Sequence, residues 1–171
     1  MIKKLTKRAT KTPPKAEAPV APKPVHPAER LRARSRARRC ALQALYQWQL
    51  NGDSSADLVR QYREGDDLNK ADQEFFERLV IGCVREGVAL IASISSLLDR
   101  PVEQLDPIER AALTIGLFEL RHELDVPYRV VISEAVNLAK GFGGADGHKY
   151  VNAVLDRAAA QLRAHEHGGA R

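Results

Sequence analysis

From Glu29 to Leu50 the apolar positions Ala37, Cys40, Ala41, Ala44, Leu45 and Trp48 recur at intervals of three and four, the period of one helix face. The spacing predicts a helix over 29–50, stopped by Asn51-Gly52. A short helix over 55–64 follows, with Ser54 and Asp57 spaced as a capping box and Gly65 as its C-terminal cap. The third pattern runs from about Lys70 to Leu98, with Phe75, Phe76, Leu79, Cys83, Leu90, Ile91, Ile94, Leu97 and Leu98 near one stripe. Gly82 and Gly87 interrupt it and let another helix approach closely.

Asp106-Pro107-Ile108-Glu109 combines an N-cap acceptor, a first-turn proline and a glutamate that can reach back to the cap. It opens a helix through Leu113, Leu117 and Leu120. Pro127 starts another, carrying Val130, Val131, Ala135, Leu138 and Ala139 to a stop at Gly141-Phe142-Gly143-Gly144. Asp146 is the expected cap of a last helix over 148–162. These elements predict an all-α fold, a compact bundle of about six to seven helices over residues 29–164.

Six of the nine prolines fall between Pro13 and Pro27, among lysines and alanines with almost no large apolar residue. Residues 1–28 therefore read as a disordered basic tail, since they cannot bury enough surface to offset their conformational entropy. Residues 165–171 read as a flexible C-terminal tail. Aromatics at 5% disfavour a large β-sandwich or barrel. The apolar runs are too short and interrupted to span a bilayer, so no membrane partner is expected. Cys40 and Cys83, far apart and in no ligand spacing, read as core residues of a reducing, cytoplasmic protein.

Charge changes the picture. Thirteen of the 27 Lys and Arg precede Cys40, opposed there by Glu17 and Glu29 alone, which leaves a net +11. The residues from Cys40 onward hold 14 cations and 20 anions, a net −6. A basic arm on an acidic body points to a polyanionic partner.

Arg30, Arg32, Arg34, Arg36, Arg38 and Arg39 crowd ten residues with Glu29 as the one local acid. Arginine's planar fork suits phosphate and base stacking, so nucleic acid is favoured over a membrane surface. His148-Lys149-Tyr150 begins the last helix, where free N–H groups favour an anion and Tyr150 offers a stacking ring, as single-stranded RNA requires. The plainer reading of Tyr150 is core packing.

Little suggests catalysis, a metal or a cofactor. His165-Glu166-His167 lies in the Gly-ended terminal stretch. The glycine loop from Gly141 to Gly147 has no preceding strand and no Gly-Lys-Ser/Thr closure, so a helix stop explains it. Glu134 and Asn137, one turn apart, read as a polar stripe or a hydrogen bond between helices.

Arg36-Ala-Arg-Arg-Cys-Ala-Leu-Gln-Ala-Leu-Tyr-Gln-Trp48, Asp125-Val-Pro-Tyr-Arg129 with Glu134-Ala135, and Ala139-Lys-Gly-Phe-Gly143 leading into His148-Lys-Tyr-Val-Asn-Ala-Val-Leu-Asp156 resemble the NusB family of transcription antitermination factors. The resemblance covers about residues 30–160. It implies a non-catalytic protein that binds single-stranded boxA in nascent ribosomal RNA leader transcripts together with NusE, a small-subunit ribosomal protein. That assembly joins RNA polymerase and other Nus factors in passing terminators; family members are monomers or homodimers.

By position, the resemblance implies RNA contacts from Arg34, Arg36 and Arg38, with Arg32 in the same helical run. Ser35 stands where the family often has another arginine. Asp146, Lys149 and Tyr150 match its RNA-contacting loop and helix start, Tyr150 replacing a usual phenylalanine. Gln43 and Tyr46 border the same groove, and Glu109 and Arg110 match the helix that meets NusE. An enzyme is the chief rival, because a similar domain precedes the catalytic domain of some ribosomal RNA cytosine methyltransferases; that reading needs a fused αβ domain with a cofactor loop. A helical adaptor that binds only proteins is the second rival.

Overall fold

A computed structural model describes residues 26–168. The expected disorder of residues 1–28 lies almost wholly outside them. The helices are α1 (Pro27–Asn51), α2 (Ser55–Glu64), α3 (Gln73–Ser93), α4 (Pro107–His122), α5 (Tyr128–Phe142), α6 (Gly147–Leu162) and α7 (Ala164–Gly168), with 3₁₀ turns at Ser95–Leu97 and Val102–Gln104. The architecture is all-α, as expected.

α4 is the axis of the bundle. Every residue from Ala111 to Leu120 is buried, because α1, α3, α5 and α6 all pack around it. A helix enclosed on all sides needs apolar residues all round, which this one has except at Thr114 and Glu119. Gly82 of α3 faces Phe118 of α4 so closely that a β-carbon there would lie 2.2 Å from Cε2 of the ring. The expected close helix approach is therefore α3 on α4.

Local signals placed several ends correctly. Ser54 Oγ accepts from Asp57 N at 3.1 Å, and Asp106 Oδ1 accepts from Ile108 N at 2.8 Å and Glu109 N at 3.4 Å. Gly52 ends α1 in the left-handed region with φ 73°, which glycine adopts without a β-carbon clash.

Other ends differ from expectation. α1 begins at Pro27, taking in two residues assigned to the tail, because the His26 ring accepts from Ala28 N and caps it. α3 spans 73–93 instead of 70–98. At its start Lys70 has φ 63° and Asp72 N donates to Ala33 O of α1, so the chain is tied to a neighbour before its own helix begins. At its end Ser93 Oγ donates to Leu90 O at 2.6 Å and the backbone tightens into a 3₁₀ turn, the competition that serines offer a helix. Gly65 closes α2 in an extended conformation, with no left-handed cap.

Residues 165–168, expected as tail, form α7. Arg163, between α6 and α7, explains this: its guanidinium donates to the carbonyls of Leu120, Glu119, Glu123 and Val126 around the end of α4, and also to Glu166 of α7. Glu166 accepts in addition from Tyr128 N at 3.2 Å. The Arg163 hydrogen bond and then that of Tyr128 hold the Glu166 carboxyl below the ordinary 4.5. The unfolded chain thus binds more protons in the acid range, so the stability Glu166 adds is complete above about pH 4.5 and fades as pH falls through its lowered value. Glu166→Gln should melt below wild type at pH 7, the two converging in acid; a gap independent of pH would contradict this role.

Both cysteines are buried, as expected of core residues. No described helix is long and apolar enough to cross a membrane.

Candidate nucleic-acid interface

Arg32, Arg36, Arg39, Gln43 and Tyr46 follow one another along α1 by steps of four, three, four and three, and all five are exposed. They form one ridge on the side of α1 turned from α4. Arg36 Nη1 donates to Lys70 O at 3.3 Å, and the Arg39 guanidinium lies 5.4 Å from the centre of the Phe142 ring. No described carboxylate pairs with Arg32, Arg36 or Arg39. The ridge is a row of cations whose charge the fold leaves unanswered.

The other two arginines of the expected set turn inward. Arg38 is 3% exposed: its Nε and Nη2 donate to the two Glu119 carboxylate oxygens at 2.8 and 2.6 Å. Its Nη1 lies 3.5 Å from Glu134 Oε2, and Ser35 Oγ donates to Glu134 Oε1 at 3.1 Å. Burial opposes the charge of Arg38, but the Glu119 hydrogen bonds and the surrounding carboxylates outweigh it and raise its pKa. Burial likewise pushes Glu119 upward against the pull of Arg38. The expected RNA contact from Arg38 is therefore corrected: it is a core ion-pair residue, since no groove reaches it without unpairing Glu119.

Arg34 is drawn the same way, 3.6 Å from Asp72 and 3.7 Å from Asp125, with its guanidinium 4.8 Å above the Phe75 ring. Its Nε is buried without a hydrogen-bond partner. Arg39, present in the run but given no contact in advance, takes the surface position that Arg38 vacates.

Beside Arg39, midway along the ridge, Phe142 leads into the glycine loop and α6. Asp146 stands at the N-cap position of α6 as expected, but its side chain accepts no backbone N–H; the carboxylate instead pairs with Lys149 Nζ at 2.9 Å, and both are exposed. Glu109 sits against the α6 N-terminus, where a β-carbon on Gly147 would lie 2.7 Å from its Oε1. The anion-favouring helix end expected to serve RNA is thus already faced by the protein's own carboxylate. Tyr150 is half-buried, its hydroxyl enclosed and without a hydrogen-bond partner. Burial, then the charge of Asp99, raises its pKa. The guanidinium of Arg100 covers the ring at 4.8 Å, a residue sequence reasoning missed because it lies 50 positions away with no periodic signal.

Arg110 donates to Gln49, whose own amide donates to Pro107 O at 3.0 Å, tying α1 to α4. Beside them a cavity of about 580 Å³ lies among α1, α3 and α4, lined by Trp48, Val88, Ile91, Val102 and Glu103. Sequence reasoning missed it; Val88 on its rim is 79% exposed, an apolar side chain left facing solvent.

The family model described as NusB matches residues 35–160. The chain belongs to the NusB family. A protein of Paraburkholderia xenovorans named transcription antitermination protein NusB is 52% identical over 139 residues, covering 81% of this chain and 96% of that protein. Its namesake in Ralstonia nicotianae is 52% identical over 134 residues, covering 78% and 86%. Among solved structures, T. maritima NusB is 30% identical with TM-score 0.65, over 74% of this chain and 90% of that one. A crystal structure of antitermination factors NusB and NusE in complex with dsRNA is 29% identical with TM-score 0.66, over 78% and 98%. Arg36, Arg39, Arg100 and Tyr150 all lie within the span matched to the NusB family.

Proposed function

We propose that this chain is a non-catalytic, cytoplasmic transcription antitermination factor that binds boxA of nascent ribosomal RNA leaders together with NusE and so keeps RNA polymerase processive. One observation carries the reading: Arg32, Arg36 and Arg39 stand exposed in line on a rigid helix with no described carboxylate to pair with them. Such a row supplies affinity through counterion release, while base discrimination comes from stacking and edge contacts. Gln43 and Tyr46 continue the ridge, and the loop that follows Phe142, itself beside Arg39, carries Lys149 and Tyr150.

Glu109, Arg110 and the neighbouring apolar cavity form the surface we assign to NusE. Residues 1–25, with seven cations against Glu17, act as a diffuse polyanion attractor that adds affinity without choosing sequence. A similar complex with dsRNA supports a second reading, in which the ridge tracks a duplex.

Titration of labelled boxA and a scrambled RNA, each as single strand and as duplex, with and without NusE, tests these together. Preference for single-stranded boxA that sharpens with NusE is expected. Equal binding of boxA and scramble in the ternary mixture would overturn specific recognition, and preference for the duplex would favour the second reading. Methyl transfer from S-adenosylmethionine to ribosomal RNA should be blank; turnover would overturn the non-catalytic assignment.

A further inference from the structure

We propose that Arg100 is an RNA-contacting residue, its guanidinium laid on the Tyr150 ring and held there by Asp99 as the stacking plane offered to a nucleotide base. This rests on the proposed function, and adds to that interface a residue and a division of labour.

Tyr150 is the expected stacking ring, yet its hydroxyl end is enclosed and the Arg100 guanidinium lies 4.8 Å from its centre. On that side an arriving base meets the arginine first. Arg100 Nε donates to Asp99 Oδ1 at 2.8 Å and Nη2 to Asp99 Oδ2 at 3.2 Å, a fork that fixes the guanidinium plane. Two of its five N–H groups are thereby engaged, and three remain for a base edge or phosphate. Pro101 restricts the Arg100 backbone to extended conformations, and the 3₁₀ turn at Ser95–Leu97, just upstream, packs on α6. The side chain is therefore pre-set on both sides while staying 43% exposed.

Exposed ion pairs between adjacent residues contribute little to folding, so the Asp99–Arg100 fork has no evident structural task. Arginine planes stack on bases as aromatic rings do, and a ring–guanidinium–base sandwich extends the platform outward by one layer. Charge separates this end from the ridge. Arg100 is balanced by Asp99 and Lys149 by Asp146, so this end contributes stacking, while the unpaired arginines of α1 supply the salt-sensitive attraction.

Titrating boxA RNA against wild type, Arg100→Lys and Arg100→Ala across a series of salt concentrations tests the assignment. Arg100→Lys keeps the charge and loses the plane. It should bind roughly ten-fold more weakly with an unchanged salt slope and an unchanged melting temperature. Arg100→Ala should be at least as weak, and combining it with Tyr150→Ala should cost less than the two losses multiplied, because the ring and the plane act as one platform. Unchanged affinity in Arg100→Lys would overturn the proposal. Tighter binding in Arg100→Ala would also overturn it, showing that the arginine is a cover which RNA must displace. A wild-type chain that binds neither boxA nor scrambled RNA would sink the proposed function and this inference together, whereas wild-type binding with both variants unaffected sinks this inference alone.

Discussion

Glu119→Ala should cost about 3–5 kcal/mol of stability, the penalty for leaving a buried charge without its partner. The substitution strands the Arg38 guanidinium in the interior with only Glu134, 3.5 Å away, still opposing it. Because Glu134 can take up part of the charge, the loss should fall toward the lower end. At roughly 2–4 °C per kcal/mol for a chain of this size, thermal melting should drop by about 6–12 °C. Replacing both partners, Arg38→Met with Glu119→Leu, should recover most of that loss, since a buried ion pair exchanged for apolar residues of similar volume is often neutral.

The double variant also separates the two roles of the arginine run. If Arg38 only anchors α1 to α4, the refolded double variant should bind boxA with wild-type affinity and salt dependence. A folded double variant whose salt slope falls by about 0.7, the share of one phosphate on a single strand, would return Arg38 to the RNA surface.

Arg38 also shows where reading the sequence stops. The density of arginines against one local acid suggested a run free to meet a polyanion, whereas Arg34 and Arg38 turn inward. Their partners lie far along the chain: Asp72 and Asp125 for Arg34, Glu119 and Glu134 for Arg38. A local charge count cannot see an acid 81 residues away. The same limit hid Arg100 above Tyr150.

Features that depend on a few neighbouring residues were legible. Ser54 and Asp106 cap where their spacing says, and α2 spans the predicted 55–64. Gly82, with no conformational need, marked a close approach that proved to be the Phe118 ring. The ends of α3 were not legible, because one is set by a backbone bond to α1 and the other by a serine returning on its own helix. Asp146 holds the expected N-cap position, but its carboxylate pairs with Lys149 and leaves the helix N–H groups unbonded by it.

In the proposed interface the exposed cations of α1 are the RNA-binding charges and the buried Arg38 is not. The most direct measurement is the affinity for boxA RNA as a function of salt for Arg32→Ala/Arg36→Ala/Arg39→Ala beside wild type, with helicity and melting followed in parallel. Three lost phosphate contacts at about 0.7 each should make the slope of log affinity against log salt shallower by roughly 2, and weaken binding near 0.1 M salt by roughly a hundred-fold. Folding should be unchanged, because none of the three pairs with a described carboxylate. A triple variant that folds normally and keeps the wild-type slope and affinity would contradict the account and place the RNA elsewhere on the molecule.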